Sequence, residues 1–209
     1  AVNHVLLTEF HHQQQTEYFL DYTRKFTDAP HLVELKKGED GVFRPGQLLR
    51  AGRLSQYAEE EHGEWKFLMW DEDSNGPKMP MGSSGFRWGE EKGKWNLHLK
   101  DGQDNSDIRP RLSFLEDHDG VTQIALDDFG NGSTCLRGVP VKTLTLADGE
   151  EVQVTTAYDL LMAQYGVNRD LPGDYPADYN DADAPYTPAW SEKYTGIGRD
   201  VLIRFAREW

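Results

Sequence analysis

The sequence contains almost no cysteine. Cys135 is the single cysteine among 209 residues, and this excludes an intramolecular disulfide. One thiolate cannot hold an iron–sulfur cluster or a cysteine-rich zinc site either, since both need several. We therefore expect Cys135 to be a small, inert and partly buried residue.

Long apolar runs and positive charge are also scarce. No stretch approaches the roughly 20 apolar residues that span a bilayer as a helix, and no secretory signal is present. Lys and Arg number 22 against 36 Asp and Glu, which gives a net charge of -14. Because such a surface repels phosphate, we expect neither nucleic acid nor an anionic membrane as a partner. The charge is typical of a well-solvated surface and is also compatible with a high-salt source.

Local catalytic motifs are missing. The run GSSG at 82–85 lacks the G-x-S-x-G spacing of a nucleophile elbow, and no phosphate-binding G-x-x-x-x-G-K-[ST] loop is present. General acid–base catalysis needs a carboxyl in a pocket, so we interpret adjacent carboxylates such as Asp127 and Asp128 as solvated. Asn131 opens an N-G-S triplet that fits a glycosylation acceptor by chance as easily as by design.

Three histidines near the start raise the question of a metal site. His4 and His11 are seven residues apart, so on one helix they lie two turns apart, too far to bind one ion. His12 is followed by glutamines that add no acidic ligand. From residue chemistry we predict no catalytic, cofactor-binding or metal-binding residue in this chain.

Both ends of the chain carry amphipathic helix patterns. Thr187 and Pro188 predict the start of a helix, and Gly196 predicts its end. A second helix follows near the end of the chain without a stop signal. At the start of the chain, the helix predicted at 1–10 lacks a cap. The apolar faces of these two helices are Val201, Leu202, Phe205, Ala206 and Trp209, and Val2, Val5, Leu6 and Phe10. We expect a piece of a larger protein whose terminal faces are exposed, pack on each other or self-associate. The alternative is an ordinary domain with frayed ends.

Between the terminal helices the pattern changes to short strands and turns. A polar break at 11–15 precedes a second helix at 16–26, with Phe19, Tyr22 and Phe26 on one face. The predicted strands are 31–35, 42–43, 64–70, 108–115 and 121–126. The predicted turns and loops are 37–41, 44–46 and a glycine-rich loop at 129–138 that carries Cys135.

The clearest local signal lies at 139–155. Two alternating runs flank Asp148 and Gly149, and Asp-Gly in this setting predicts a hairpin with positive φ at both central positions. Thr156 then predicts a helix cap, with Asp159 as its partner in a capping box.

These elements predict an α+β fold. Residues 1–30 would form a helical tail, 31–155 a β-rich insertion and 156–209 a helical return segment. Trp65, Trp70, Trp88 and Trp95 could line a ligand groove, but the glycine density around them favours a small β core. A β-rich middle between two helical ends is typical of an insertion within a larger α/β domain.

Five stretches of the chain carry a family resemblance. The most specific is GSSGFRWGEEKGKWNL at 82–97. The others are HVLLTEFH at 4–11, EYFLDYTRKFTDAPHLVEL at 17–35, VPVKTLTLADGEEVQVTTAYDLLMAQYGVNRDL at 139–171 and YTPAWSEKYTGIGRDVLIRFARE at 186–208. Together they resemble the alpha (large catalytic) subunit of respiratory nitrate reductases, in the molybdenum bis-pterin oxidoreductase superfamily. The last stretch is similar to a helix pair at which superfamily chains re-enter the α/β cofactor-binding domain.

The resemblance implies a parent enzyme of anaerobic respiration that reduces nitrate to nitrite. Its cofactors would be molybdenum bis(molybdopterin guanine dinucleotide) and a [4Fe-4S] cluster. The family's ligands for both have no counterpart here, and Cys135 matches no cluster ligand. The implied partners are the rest of the alpha subunit, an iron–sulfur beta subunit and, indirectly, a membrane gamma subunit. The complex would be membrane-associated, on the cytoplasmic face in typical bacteria and on the outer face in some archaea.

The sequence thus predicts an internal scaffold fragment of a nitrate reductase alpha subunit, soluble and inactive alone. One alternative is a fragment of a related selenate, chlorate or nitrite oxidoreductase, since only the run at 82–97 favours nitrate. The other alternative is a non-enzymatic β-rich interaction module.

Overall fold

The computed structural model describes residues 1–80, 99–129 and 132–208. Helices and strands are both present in substantial number, so the predicted α+β class is confirmed. The run at 82–97, with Trp88 and Trp95, lies outside the described residues, as do Asn131 and Trp209.

Helices lie towards both ends of the chain. They are α1 (Val2–Leu6), a π-helix (Leu7–Gln13), α2 (Glu17–Phe26), α3 (Ala157–Gln164), α4 (Pro188–Thr195) and α5 (Arg199–Glu208). The polar break predicted to begin at His11 is wrong, because wider π-helical turns carry the helix on to Gln13. The amide of Gln14 donates to the carbonyl of Glu9 at 3.0 Å across one such turn. Within the described ranges, every helix is too short or too polar to span a bilayer.

The strands form a closed barrel and a small separate sheet. In chain order they are β1 (Leu32–Lys37), β2 (Phe43–Leu48), β3 (Met69–Asp71), β4 (Gly76–Lys78), β5 (Gly120–Asp128), β6 (Ser133–Thr145) and β7 (Glu151–Thr156). The barrel has the order β1-β2-β5-β6-β7, and β7 closes it by pairing with β1. Its neighbours are antiparallel except β2 and β5, which are parallel.

The loop predicted at 129–138 and the turn predicted at 44–46 are wrong. Cys135 lies in β6, opposite Leu126, because the turn ends at Gly132 (φ +66°) and the loop predicted at 129–138 returns at once as a strand. The turn predicted at 44–46 lies within β2, where Gly46 permits close approach to β1: a Cβ there would meet the carbonyl oxygen of Glu34 at 2.6 Å.

Two predicted strands are also wrong, because they were predicted from apolar composition alone. Residues 108–115 follow an irregular path because side chains satisfy their backbone groups, as when Asp159 accepts from the amide of Phe114. In the stretch 64–70 only the last two residues are strand, and Gly63–Trp65 form a 3-10 turn. Apolar composition alone did not distinguish a buried strand from buried irregular chain.

The hairpin between β6 and β7 is confirmed with a different turn. The amide of Gly149 donates to the carbonyl of Leu146 at 3.0 Å, and Gly149 has φ +85° while Asp148 does not have positive φ. The turn therefore has one left-handed residue rather than the predicted two. This is the longer hairpin loop that ends in a left-handed glycine.

The core brings the barrel and α3 together. Its fully buried side chains include Leu32, Leu49, Tyr57, Leu68, Phe114, Ile124, Val139 and Val154. Trp70 packs edge-on against Phe114 with ring centroids 5.4 Å apart, so the β-core interpretation holds for Trp70. It is wrong for Trp65, which is 68% exposed. Buried Arg137 closes the end of α3, since its guanidinium donates to the carbonyls of Ala163 and Gln164.

The terminal helices pack on each other. The start and stop predicted for α4 are confirmed, because the hydroxyl of Thr187 accepts from the amide of Trp190 and Gly196 is left-handed. Helix α1 contacts α5, and Glu9 accepts two hydrogen bonds of 2.8 Å from the guanidinium of Arg207. Val5 is fully buried, so the expectation that the terminal faces pack on each other is confirmed for α1, whereas Phe205 of α5 stays 54% exposed.

Candidate functional site

A cavity of about 420 Å³ lies between the π-helix, α2, the chain at 111–117 and α3. The polar residues of its lining, which we call the polar wall, are His11, His12, Gln15, Arg24, Glu72, Arg111, Ser113, Glu116, Asp117 and Arg169. The apolar residues of its lining are Leu20, Leu112, Leu115, Tyr158 and Met162. The cavity thus joins segments that are far apart in the sequence, in a half-polar, half-apolar space.

Arg169 of the polar wall forms a fully buried ion pair with Asp159. The Arg169 guanidinium donates to Oδ1 of Asp159 at 2.6 Å, and the Ser113 hydroxyl donates to the same oxygen at 2.6 Å. Oδ2 accepts from the amide of Phe114 at 2.9 Å and from the hydroxyl of Thr156 at 3.0 Å. A buried charge needs this degree of pairing. The network fixes Arg169 against the cavity.

The capping box predicted for Thr156 and Asp159 is confirmed for the threonine only. The hydroxyl of Thr156 accepts from the amide of Asp159 at 3.0 Å, as a helix cap does. The carboxylate of Asp159 has a different task from the one predicted, because it serves Arg169 and Ser113 in a neighbouring segment. Local spacing predicts a cap but cannot reveal a partner from a distant segment.

Two carboxylates of the polar wall are each held by two cations. Glu72 pairs with Arg24 and with Arg109, both at 3.2 Å. Asp117 pairs with Arg111 and with Lys142, both at 2.7 Å. The hydrogen bond from Lys142 is the main reason why the pKa of Asp117 lies below its usual range. These acceptors are therefore already engaged.

Several nitrogen atoms of the polar wall have no partner. Among the described residues, the buried side-chain polar atoms without a hydrogen bond are Nδ1 of His11, Nε of Arg24, Nε of Arg169 and Nε2 of His31. The first three belong to residues that line this cavity. Burial lowers the pKa of His11 and of His12, and the nearby Arg169 lowers that of His12 further. Both imidazoles are therefore neutral at pH 7.

The structure separates the histidines considered as metal ligands. His4 is buried, and its Nδ1 donates to the carbonyl of Tyr165 at 2.6 Å. His4 lines a second cavity, of about 330 Å³, whereas His11 and His12 line the first. Within residues 1–80, 99–129 and 132–208, no three His, Cys, Asp or Glu side chains are grouped to hold a metal ion.

The polar wall was not found from the sequence. Arg24, Arg111 and Arg169 come from three segments without a common motif, in a chain whose net charge of -14 points away from anion binding. A possible signal was the group of arginines and histidines flanking predicted helices. Their convergence on one cavity depends on the tertiary fold.

Comparison with known proteins gives a consistent result, although no family model matches. The nitrate reductase alpha chain of Bacillus subtilis (strain 168) is 40% identical over 210 residues, covering 100% of this chain and 17% of that protein. The respiratory nitrate reductase 1 alpha chain of Escherichia coli (strain K12) is 41% identical over 222 residues, with the same coverage. The chain is thus similar over its whole length to one part of nitrate reductase alpha chains.

The match to the family runs from end to end but covers a small part of its members. The respiratory nitrate reductase alpha chain of Bradyrhizobium sp. is 38% identical over 208 residues, again covering 100% of this chain and 20% of the relative. The chain therefore spans about one fifth or less of the length of these relatives. The resemblance predicted from five stretches is confirmed over the whole sequence.

One cofactor implied by the resemblance, the [4Fe-4S] cluster, does not fit the residues of this chain alone. Cys135 is the single cysteine and is half-buried, where burial raises the pKa of its thiol. One such thiol cannot supply the several thiolates of a [4Fe-4S] cluster. We therefore derive no catalytic step from these residues.

Proposed function

We propose that this chain is a structural segment of a nitrate reductase alpha subunit, part of the wall that surrounds the cofactor domain. The observation that carries the proposal is the match of the whole chain to about 17% of relatives named nitrate reductase. The chemistry would lie elsewhere in the parent, at molybdenum bis(molybdopterin guanine dinucleotide) and iron–sulfur centres. The relatives' names favour nitrate over selenate, chlorate or nitrite as the parent's substrate.

Helices α2 and α5 expose apolar residues, which supports a structural role that depends on neighbouring polypeptide. Helix α2 buries none of its residues, and Tyr18, Tyr22 and Phe26 are all exposed. In α5 only Ala206 is buried, while Phe205 is 54% exposed. Apolar faces of this kind usually mark an interaction surface. In the parent they would contact the rest of the alpha subunit.

The assembly follows from the same proposal. Residues 31–155 would be the β-rich insertion, with 1–30 and 156–209 as helical connections to the α/β cofactor domain. The parent would work with an iron–sulfur beta subunit and a membrane gamma subunit. We propose a membrane-associated complex on the cytoplasmic face, as in typical bacteria, or on the outer face in an archaeon.

The isolated chain should be inactive. We expect no nitrate reduction by the purified 209-residue chain with a reduced dye as electron donor, and no stoichiometric molybdenum or iron by elemental mass spectrometry. Activity or bound molybdenum would contradict the proposal. The matched positive experiment replaces the homologous segment of the Bacillus subtilis alpha chain by this chain. A folded but inactive chimera, with its cofactors bound, would count against a shared structural role.

A further inference from the structure

We propose that Trp65 and the acidic turn that carries it, residues 58–65, form a docking surface for a cationic stretch of the parent alpha chain. The proposal rests on the function proposed above, because it needs a parent chain around this segment. It concerns residues other than the exposed faces of α2 and α5. Three features carry it: an exposed tryptophan, a fixed turn that presents it, and carboxylates without cationic partners.

Trp65 is a large apolar side chain that the described part of the chain leaves uncovered. It is 68% exposed, and among the described residues its side chain makes no hydrogen bond and no ring contact. Tyr194 is similarly exposed, at 62%, but its ring packs on Trp190 with centroids 5.1 Å apart. Tryptophan is usually well buried in folded proteins, and it is enriched among the residues that contribute most to protein interfaces. The indole of Trp65 therefore marks the centre of the proposed surface.

The acidic turn is fixed by backbone contacts on both sides of the indole. Gly63 is buried against Gly52, so closely that a Cβ on Gly63 would meet the amide nitrogen of Gly52 at 3.0 Å. Directly after Trp65, the carbonyl of Lys66 accepts from the amide of Ala51 at 2.9 Å. A side chain on a fixed turn loses less conformational entropy on binding than one on a mobile loop. Trp65 is therefore pre-organised for contact.

The carboxylates of the acidic turn are not neutralised within the described part of the chain. The side chains of Glu61 and Glu64 are 88% and 67% exposed, and they lie 3.6 and 3.8 Å from the imidazole of His62. That imidazole carries a charge only when protonated, and it can then offset one of the two carboxylates. Glu59 is exposed and has no ion pair among the described residues. The turn thus places at least two uncompensated negative charges within a few residues of Trp65.

This combination fits a partner that carries a cation beside an apolar group. An arginine guanidinium can stack on an indole and donate hydrogen bonds to a neighbouring carboxylate at the same time. A neutral or acidic surface would leave the carboxylates of the turn desolvated without compensation. A second copy of this chain fits poorly, because both copies carry a net charge of -14 and repel each other.

We assign the cation to the parent alpha chain itself. This chain makes up 17% of the length of the Bacillus subtilis relative, so a parent of that kind supplies several times as much polypeptide in the same molecule. A segment of the same chain is tethered, and its high effective concentration favours contacts that are weak between separate molecules. One indole with a few carboxylates is a small surface of this weak kind.

The first experiment uses the ¹⁵N-labelled 209-residue chain and a capped tri-arginine peptide. We expect a saturable nuclear magnetic resonance shift of the indole N–H signal of Trp65, with a dissociation constant on the order of 1 mM. Raising the salt from about 20 mM to about 200 mM should weaken binding several-fold, because exposed charges are screened. Capped tri-glutamate should cause no shift. A Trp65 signal that tri-arginine leaves unmoved would overturn the proposal.

Two double variants with the same change in net charge locate the contact. Glu61→Gln with Glu64→Gln removes two carboxylates of the acidic turn and should weaken tri-arginine binding at Trp65 about fivefold or more. Glu39→Gln with Glu151→Gln removes two exposed carboxylates from other elements and should leave binding within about twofold. Equal losses in the two variants would mean that tri-arginine responds to the net charge alone, which contradicts a local docking surface.

The second experiment tests the source of the cation in the chimera described above, by hydroxyl-radical footprinting with mass spectrometry. In the chimeric alpha chain alone, Trp65 should be oxidised about tenfold more slowly than in the isolated chain, because an interface excludes water from its centre. Glu61→Lys with Glu64→Lys should restore fast oxidation, since like charges then face each other. Protection that appears only after the beta subunit is added, or no protection at all, would show the assignment to be wrong.

Phe205 distinguishes a failure of this inference from a failure of the proposed function. The proposed function has the exposed face of α5 covered in the parent, so Phe205 should be protected in the same chimera. Protection of Phe205 without protection of Trp65 would overturn the docking surface alone. Fast oxidation of both residues would overturn the docking surface and the structural role together.

Discussion

Helices α3 and α5 are similar in length and differ in almost every contact. In α3, Tyr158, Asp159, Met162 and Ala163 are buried against the barrel and the cavity, whereas α5 buries only Ala206. Helix α5 nevertheless has the stronger separation of apolar and polar faces, with Val201 and Phe205 exposed on it and Ile197 exposed just before its start. Strong amphipathicity therefore marks a helix that has an apolar surface to cover, and does not show that this chain covers it.

The largest expected effect comes from the buried ion pair of α3. Replacing Asp159 by Asn keeps the shape but leaves the guanidinium of Arg169 buried without its counter-charge. We expect a loss of about 3–5 kcal/mol in the free energy of unfolding, measured by urea denaturation.

A comparison pair nearer the surface lies between the π-helix and α5, where the side chain of Arg207 is 55% exposed and that of Glu9 is 13% exposed. Glu9→Gln removes the charge that Arg207 binds but keeps an oxygen that can accept from Arg207 and Tyr179. The expected loss is on the order of 1 kcal/mol, because the cation left behind is still solvated. If Glu9→Gln and Asp159→Asn destabilised the chain equally, the contrast between the two regions would not hold.

A slightly smaller effect is expected in the barrel itself. Leu32 is fully buried in the main core, where it packs with Leu49 and Val154. Leu32→Ala should cost about 2–4 kcal/mol through lost burial and the cavity left behind, measured by the same denaturation. A loss below 1 kcal/mol would mean that the barrel is less tightly packed than this structure indicates.

The sequence was most informative where a local rule decides the structure. Thr187, Pro188 and Gly196 delimit α4, and Asp148 with Gly149 marks the β6–β7 hairpin, because caps and turns depend on adjacent residues. The sequence was least informative where distant partners decide. The path of 108–115 follows from Asp159, and the cavity follows from arginines in three segments. Neither contact leaves a periodic pattern.

The family resemblance has a similar limit. It predicted the relatives correctly from five stretches, since identity of about 40% preserves long recognisable runs. It gave no indication of the cavity, and its most specific run, 82–97, lies outside the described residues. Residue chemistry and family resemblance therefore answered different questions.

Acid should lower the free energy of unfolding through the buried histidines. Burial lowers the pKa of His4 and of His31 below 6.5, so the unfolded chain binds more protons than the folded chain in the window below that pH. Stability from this source is complete above about pH 6.5 and falls as the pH decreases. Each histidine can contribute at most about 1.4 kcal/mol per pH unit.

The measurement is the free energy of unfolding between about pH 7.5 and pH 5, a range that brackets the ordinary histidine pKa of about 6.5. His31→Gln should reduce the slope in that window. A slope unchanged by His31→Gln would show that this histidine does not contribute to the acid sensitivity.

The smallest effect on stability is expected at the exposed face of α5. Phe205 is 54% exposed, so Phe205→Ser should change the free energy of unfolding of the isolated chain by no more than about 0.5 kcal/mol. Its effect should appear in association instead, because removing an aromatic ring from the row with Ile197 and Val201 reduces the exposed apolar surface. Analytical ultracentrifugation should show less self-association in the variant than in the wild type. A large loss of stability without any change in association would mean that Phe205 stabilises the folded chain itself. The difference between α3 and α5 would then be one of exposure alone.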